Sequence, residues 1–182
     1  MKLLNTYDNF FRADKTQEIY NYVLQSFYQI GWEDGTEPEH KQYPNLYSKY
    51  SIKDLEQIDI LNPILKKLDL NKKDYSTCIV NLTKPLDVNF IHTHPKQKVV
   101  LYYANLTWNP EWGGETIFYK QDRKSIELTN IFTPNRLIFF DGSVPHTIKA
   151  QNFLGPSYRF TISFFFNYFI GNRRVCYPNS CI

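Results

Sequence analysis

The sequence predicts a mainly β domain of the α+β class, with helices on its N-terminal side and a sandwich or closed barrel as its core. Three observations predict it. From Tyr75 onward, short runs rich in β-branched and aromatic residues alternate with turn residues. Before that point, apolar residues recur at helical rather than strand spacing. The 14 Tyr, 14 Phe and 3 Trp cluster after residue 100, in runs such as "LYYANLTW" and "FTISFFFNYF" that suit a packed β core.

In the N-terminal third, Asp14 is positioned as a helix cap with Gln17 as its capping-box partner. Ile19, Val23, Phe27 and Ile30 then follow at helical spacing, and Gly31 is the expected stop. The looser stretch "EDGTEPEHKQYPN" comes next. Its wider setting, Glu33 to Lys53, is rich in Tyr, Lys and Pro and is expected to be a mobile lid, with His40 exposed. Leu55, Ile58 and Leu61 suggest a second helical piece. Asn62-Pro63 would restart it as cap and first residue, burying Ile64, Leu65 and Leu68.

The β half follows as "YSTCIVNL", Phe90 to His94, "KVVLYYANL", "ETIFYK", "SIELTNI", "RLIFFD", "HTIKAQ" and "YRFTISFFF". Even spacing of about eight short strands argues for a sandwich or barrel over a βαβ sheet. One domain is expected across residues 1–182, with helical support over about 1–70, a β core over about 75–170 and a short tail.

Composition narrows the function. With 21 basic and 18 acidic residues the formal charge is +3, and no basic stripe appears, which argues against nucleic acid. No charged n-region precedes an apolar stretch, and no apolar run reaches the ~18 residues that span a bilayer, so no membrane association and a cytoplasmic location are expected. The 3 cysteines are too few for a disulfide framework. Cys78 is expected to be a buried thiol, and Cys176 and Cys181 in the tail are expected to be reduced.

Chemistry concentrates in three places. His92 and His94, one residue apart before Pro95, would aim to the same side of a strand and could share a cation; imidazole suits Fe, Zn, Cu or Ni. Taken alone, an H-x-H pair in a β protein is more often two surface or satisfied histidines. In "FFDGSVPHTIKAQ", His146 opens the strand after the Asp141-Gly142 turn and could supply a third imidazole. Arg159 lies inside a strongly apolar strand with no acid in the same strand. Its partner is either a distant Asp or Glu or a carboxylate ligand, which a planar guanidinium holds bidentately.

The ordered set H-x-H, "LYYAN…W…WGGET.F", "P.R.I.FDG…H" and "R.T" resembles the iron- and 2-oxoglutarate-dependent dioxygenases, most of all the prolyl 4-hydroxylase type, over residues 75 to 168. The resemblance implies a double-stranded β-helix, or jelly roll. It implies Fe(II) at His92, His94 and His146, with 2-oxoglutarate and O2 as co-substrates. Arg159 and Tyr103 would bind the distal carboxylate of 2-oxoglutarate, and Thr161, on the same face as Arg159, would help. The implied activity is hydroxylation of a small-molecule or peptidyl substrate, peptidyl proline among the candidates, coupled to decarboxylation of 2-oxoglutarate to succinate. Trp108, Trp112, Gly113 and Gly114 are expected to be structural, and Glu115 exposed or capping.

The departure from the family pattern is His94, where that family carries Asp or Glu. Three outcomes stand open: His94 ligates and the centre is three-histidine; His94 turns away and water or another carboxylate replaces it; or activity is lost. Two rival classes remain beside the hydroxylase. One is a non-enzymatic metal-binding jelly roll. The other is a three-histidine dioxygenase that does not use 2-oxoglutarate.

Overall fold

The structure is a computed structural model and describes residues 4–32, 38 and 40–168. In chain order the elements are β1 (Leu4–Tyr7), α1 (Ala13–Leu24), β2 (Gln29–Trp32), β3 (Asn45–Tyr50), α2 (Ile52–Gln57), α3 (Leu61–Leu68), β4 (Tyr75–Thr83), β5 (Gln97–Tyr103), β6 (Thr116–Tyr119), β7 (Ile126–Asn130), β8 (Leu137–Asp141), β9 (His146–Ile148) and β10 (Arg159–Asn167). The strands form two antiparallel sheets. The major sheet runs β1-β8-β5-β10-β4-β3-β2 and the minor sheet β7-β6-β9.

Strand β10 shows why the sheets layer as they do. It lies between β5 and β4, and every residue but Asn167 is buried. Alternation sends Phe160, Ile162, Phe164 and Phe166 into the core backed by the helices, where they join Ile19, Val23, Leu55 and Ile64. Burial of each such side chain contributes roughly 1.5–3 kcal/mol. The opposite face carries Arg159, Thr161, Ser163 and Phe165. It looks toward the second core, built with Val99, Leu101, Tyr103, Phe118 and Phe140. One strand thus separates a helix-supported interior from an interior enclosed between the sheets.

Seven of the strand runs read from the sequence form strands. Phe90 to His94 does not; it is a loop touching the minor sheet at an isolated bridge between His92 and His146. Helix α1 starts after Arg12, without a side-chain cap from Asp14, and ends at Leu24. Phe27 and Ile30 therefore lie past the helix and are exposed, and Gly31 sits in β2 at φ 137° rather than ending a helix. Helix α3 starts one residue before Asn62, with Ile60 at its N-cap. The cap that does form is Ser51, whose hydroxyl accepts from the N–H of Asp54 while the Asp54 carboxylate accepts from the N–H of Ser51. Much of the expected lid is ordered structure, since β3 pairs with β4 through five registered residues. Cys78 is a buried free thiol, as its place in an apolar strand requires. Cys176 and Cys181 lie outside the described residues.

Candidate metal centre

His92, His94 and His146 converge in the space between the sheets. One nitrogen from each lies within 4.8 Å of the others. The ring centroids are 4.9 Å apart for His92 and His94, 4.5 Å for His92 and His146, and 5.3 Å for His94 and His146. His146 is fixed by the first residue of β9. The bridge brings His92 to it through paired backbone hydrogen bonds, each of 3.0 Å.

Two of the rings are also oriented. Nδ1 of His92 lies 2.9 Å from the carbonyl of Phe90, and Nδ1 of His146 lies 2.8 Å from that of Val144. A carbonyl only accepts, so each Nδ1 carries a proton and each Nε2 is the nitrogen left for a metal. That is the carbonyl-backed histidine typical of metal ligands. His94 is held differently, with its ring edge-on to Phe165 at 4.7 Å. Burial lowers the His94 pKa to about 3, with His92 adding to the effect, and burial likewise drives His146 well below the ordinary value. Both rings are therefore neutral, the form that coordinates a cation. Among the described residues no Asp or Glu joins the cluster, so no carboxylate substitutes for His94.

The cluster opens on a small, partly solvent-facing cavity. Asn45, Asn81, Thr83, Thr116 and Ser163 supply much of its polar wall. Arg159, Tyr103 and Thr161 share the interior face of the major sheet, with Thr161 registered against Tyr103. None of the three lines the open cavity. The wall there is made by their neighbours: Thr83 opposite Arg159, Asn81 opposite Thr161, Ser163 next along β10, and Thr116.

Arg159 is fully buried. Its Nε donates to the carbonyl of Gly114 at 3.1 Å, while Nη1 and Nη2 have no hydrogen-bond partner. The guanidinium lies 4.7 Å from the Phe132 ring centre and 5.6 Å from that of Tyr103. Burial lowers its pKa to about 10, which leaves it cationic at neutral pH. No Asp or Glu hydrogen-bonds to it, but the partly enclosed Glu115 carboxylate acts on it electrostatically and favours its charged form. A buried cation with two free donors fits a bound carboxylate. Oγ1 of Thr161 is enclosed and unpartnered as well. The Tyr103 hydroxyl is already engaged at 2.7 Å with Thr116, and its ring stacks on Phe132 at 4.3 Å.

The Gly-Gly turn does more than reverse the chain. Gly113 and Gly114 have φ of 76° and 84°, conformations that favour glycine. A Cβ on Gly114 would lie 2.8 Å from the Trp108 ring and 3.2 Å from Nε of Arg159, so the turn is also the seat of the guanidinium. Glu115 departs from its expected exposure: one carboxylate oxygen is enclosed and unpartnered. His40 departs likewise, being half-buried and stacked on Phe90 at 3.9 Å. Among the described residues no helix is long and apolar enough to cross a membrane.

No family model matches the sequence, and no curated protein matches it. Solved structures do match. A prolyl hydroxylase from Trichoplax adhaerens, in complex with a hypoxia inducible factor oxygen degradation domain peptide fragment, superposes with a TM-score of 0.67 at 18% identity, covering 91% of this chain and 83% of that one. HygX from Streptomyces hygroscopicus, with nickel and 2-oxoglutarate bound, gives 0.66 at 7% identity, over 92% and 84% of the two chains. The viral collagen prolyl hydroxylase of Paramecium Bursaria Chlorella virus-1 gives 0.61 at 13%, over 92% and 90%. The fold is the double-stranded β-helix that 2-oxoglutarate- and Fe(II)-dependent oxygenases carry. Its structural neighbours include prolyl hydroxylases.

Proposed function

We propose that this chain is an Fe(II)- and 2-oxoglutarate-dependent hydroxylase whose metal is held by three histidines. The observation that carries the reading is the pairing, within one interior, of three convergent imidazoles with a buried arginine whose Nη1 and Nη2 are unpartnered. His92, His94 and His146 would hold the metal. Arg159, with Thr161 and Tyr103, would hold the distal carboxylate of 2-oxoglutarate.

The bound metal and co-substrate supply the oxidising chemistry, with O2 consumed and 2-oxoglutarate converted to succinate. The chain's own part is placement. Carbonyl-held His92 and His146 keep their lone pairs on one point. Phe165 and Phe140, both lining the cavity, keep its wall dry. Arg159 fixes the co-substrate's orientation through a charge that has no other hydrogen-bond partner at its Nη atoms. The substrate is a small molecule or a peptidyl group. Peptidyl proline is favoured only by the prolyl hydroxylases among the structural neighbours. A second reading, a three-histidine dioxygenase without 2-oxoglutarate, draws support from the placement of Arg159 and Tyr103 outside the open cavity wall.

Anaerobic titration of the Fe(II)-loaded protein with 2-oxoglutarate separates the two. The expected result is a visible charge-transfer band, abolished in His146→Ala and weakened in Arg159→Ala. Iron binding without a band selects the second reading. No iron binding at all rejects the histidine centre.

A further inference from the structure

The turn that carries His94 is strained. Pro95 and Lys96 fill its two central positions, and it closes where the N–H of Gln97 donates to the carbonyl of His94 at 3.3 Å. Lys96 has φ of 65°, the left-handed conformation that the third position of such a turn normally gives to glycine. A residue with a side chain keeps that conformation only where its surroundings over-determine it. Here the Lys96 carbonyl is tied down, accepting from the N–H of Tyr168 at 3.0 Å.

Tyr168 follows directly on β10, and its side chain crosses the sheet. β5 lies between β10 and β8, with Asn167 registered against Gln97 and Lys98 against Asp141. The Tyr168 hydroxyl donates to Oδ2 of Asp141 at 2.5 Å, and Nζ of Lys98 lies 5.6 Å from the centre of its ring. The ring therefore straps the first residues of β5, at the base of the His94 turn. Packing does not require the hydroxyl, since phenylalanine would cover the same residues. At 39% exposure of Tyr168, one hydrogen bond there adds little to the stability of the fold as a whole.

The other oxygen of Asp141 is engaged as well. Oδ1 accepts from the N–H of Ser143 at 2.8 Å and from its hydroxyl at 2.6 Å. These bonds shape a second turn, closed where the N–H of Val144 donates to the carbonyl of Asp141 at 3.0 Å. Val144 is the residue whose own carbonyl orients His146. One carboxylate thus serves two turns, and each turn leads to a different histidine of the cluster.

We infer that Asp141 and Tyr168 are positioning residues of the metal centre, Oδ2 of Asp141 fixing the turn of His94 through Tyr168 and Oδ1 fixing the turn that leads to His146. The assignment rests on the three-histidine reading above. It extends that reading to residues outside the cavity, since neither Asp141 nor Tyr168 lines it.

The test is titration of the full chain with Co(II), with melting temperatures of the metal-free proteins measured alongside. Tyr168→Phe removes one hydroxyl and is expected to weaken Co(II) by about threefold to tenfold, within the range for losing one hydrogen bond. Asp141→Asn keeps the shape but has one acceptor oxygen for two turns, and is expected to weaken Co(II) as well. The matched control is Tyr22→Phe, which removes a hydroxyl donating to Asp54 at 3.0 Å on the helical side of the fold, and is expected to leave Co(II) affinity unchanged. Affinity in Tyr168→Phe within twofold of the parent would overturn the assignment, whatever its melting temperature. An equal loss in Tyr22→Phe would also overturn it, because the effect would then be one of general stability. If the parent binds no Co(II), the three-histidine reading falls and takes the assignment with it.

Discussion

The backbone N–H of His94 donates to the carbonyl of Gly142 at 2.6 Å, and the N–H of Gly142 donates to the carbonyl of Gln97 at 2.8 Å. Gly142 thus clamps both ends of the turn that carries His94. There is no room for a larger residue: a Cβ on Gly142 would strike the carbonyl of His94 and come within 2.8 Å of the Gln97 carbonyl and 2.9 Å of the His94 Cβ. Overpacking of this kind costs about 1–3 kcal/mol. In Gly142→Ala the turn carrying His94 must give way, and with half of that cost expressed at the site metal affinity is expected to fall by about twofold to tenfold. Co(II) titration reads it. In a His94→Ala background the same substitution should have little further effect on Co(II) affinity. An additive loss there would mean that Gly142 acts on the fold rather than on the ligand.

Arg159 offers a test that separates function from structure by sign. A buried arginine paired for stability is lost at a cost of several kcal/mol. This one has a single backbone hydrogen bond and two unpartnered nitrogens. Arg159→Met removes the charge and keeps most of the volume. With Glu115→Gln added, so that the nearby negative charge goes too, the ligand-free protein is therefore expected to lose no more than about 1 kcal/mol, or to gain stability, as a buried charge pair replaced by neutral groups often does. Binding of 2-oxoglutarate should fall sharply in the same variant. A large drop in melting temperature without ligand would show that Arg159 is a structural cation.

A pH dependence follows from the other end of Tyr103's strand. Asp8, just after β1, accepts from Nε and Nη2 of Arg136 at 2.5 and 2.9 Å. The carbonyl of Arg136 accepts from the N–H of Tyr103 at 3.0 Å, so the pair braces the strand that carries a predicted site residue. The Arg136 hydrogen bond is the main reason that the Asp8 carboxyl lies below its ordinary range. A carboxyl depressed on folding contributes stability that is complete above its unfolded value near 4 and is lost as pH falls through the folded value. Thermal unfolding at pH 7 and at about pH 2.5 should therefore differ less in Asp8→Asn than in the parent. Asp8 is half exposed, so the effect should also shrink in high salt. An equal pH response in the two proteins would assign acid sensitivity to other carboxyls, such as Asp54 and Asp141.

Strands β4 to β10 were legible because each is a self-contained run of β-branched and aromatic residues whose pattern does not depend on its neighbours. The short strands were not. "QIGW" and "NLYSKY" hold at most one β-branched residue each, among polar neighbours or glycine, so they lack the signal that marks the later strands. The α1 face was overextended because Phe27 and Ile30 keep helical spacing after the chain has left the helix, an accident of phase. His92 and His94 were expected to converge as alternate residues of a strand. They converge from a loop instead, held by the bridge to His146 and the clamp at Gly142. The "SIKD" capping box is readable from Ser51 and Asp54 three residues on. Asn81 was not readable as a lining residue: its place in the cavity wall appears only once the sheets are assembled.

The substitution that most directly interrogates this chain's departure from the oxygenase pattern is His94→Asp. Three neutral imidazoles leave a divalent metal with its full charge; a carboxylate would cancel one unit of it. Two unit charges about 4 Å apart interact by about 1 kcal/mol in a water-like dielectric and by more in a drier one. The partly enclosed site, with His94 driven to a pKa of about 3 by burial, lies on the drier side. His94→Asp is therefore expected to keep divalent metal binding while weakening 2-oxoglutarate by at least about fivefold, because the dianion loses part of its attraction to the centre. Anaerobic titration of the two proteins at matched ionic strength measures the gap. Equal affinities would place His94 outside the metal's coordination shell. Tighter binding in His94→Asp, accompanied by substrate-independent succinate formation that the parent lacks, would identify the parent as a chain whose centre had drifted from activity and been restored by one carboxylate.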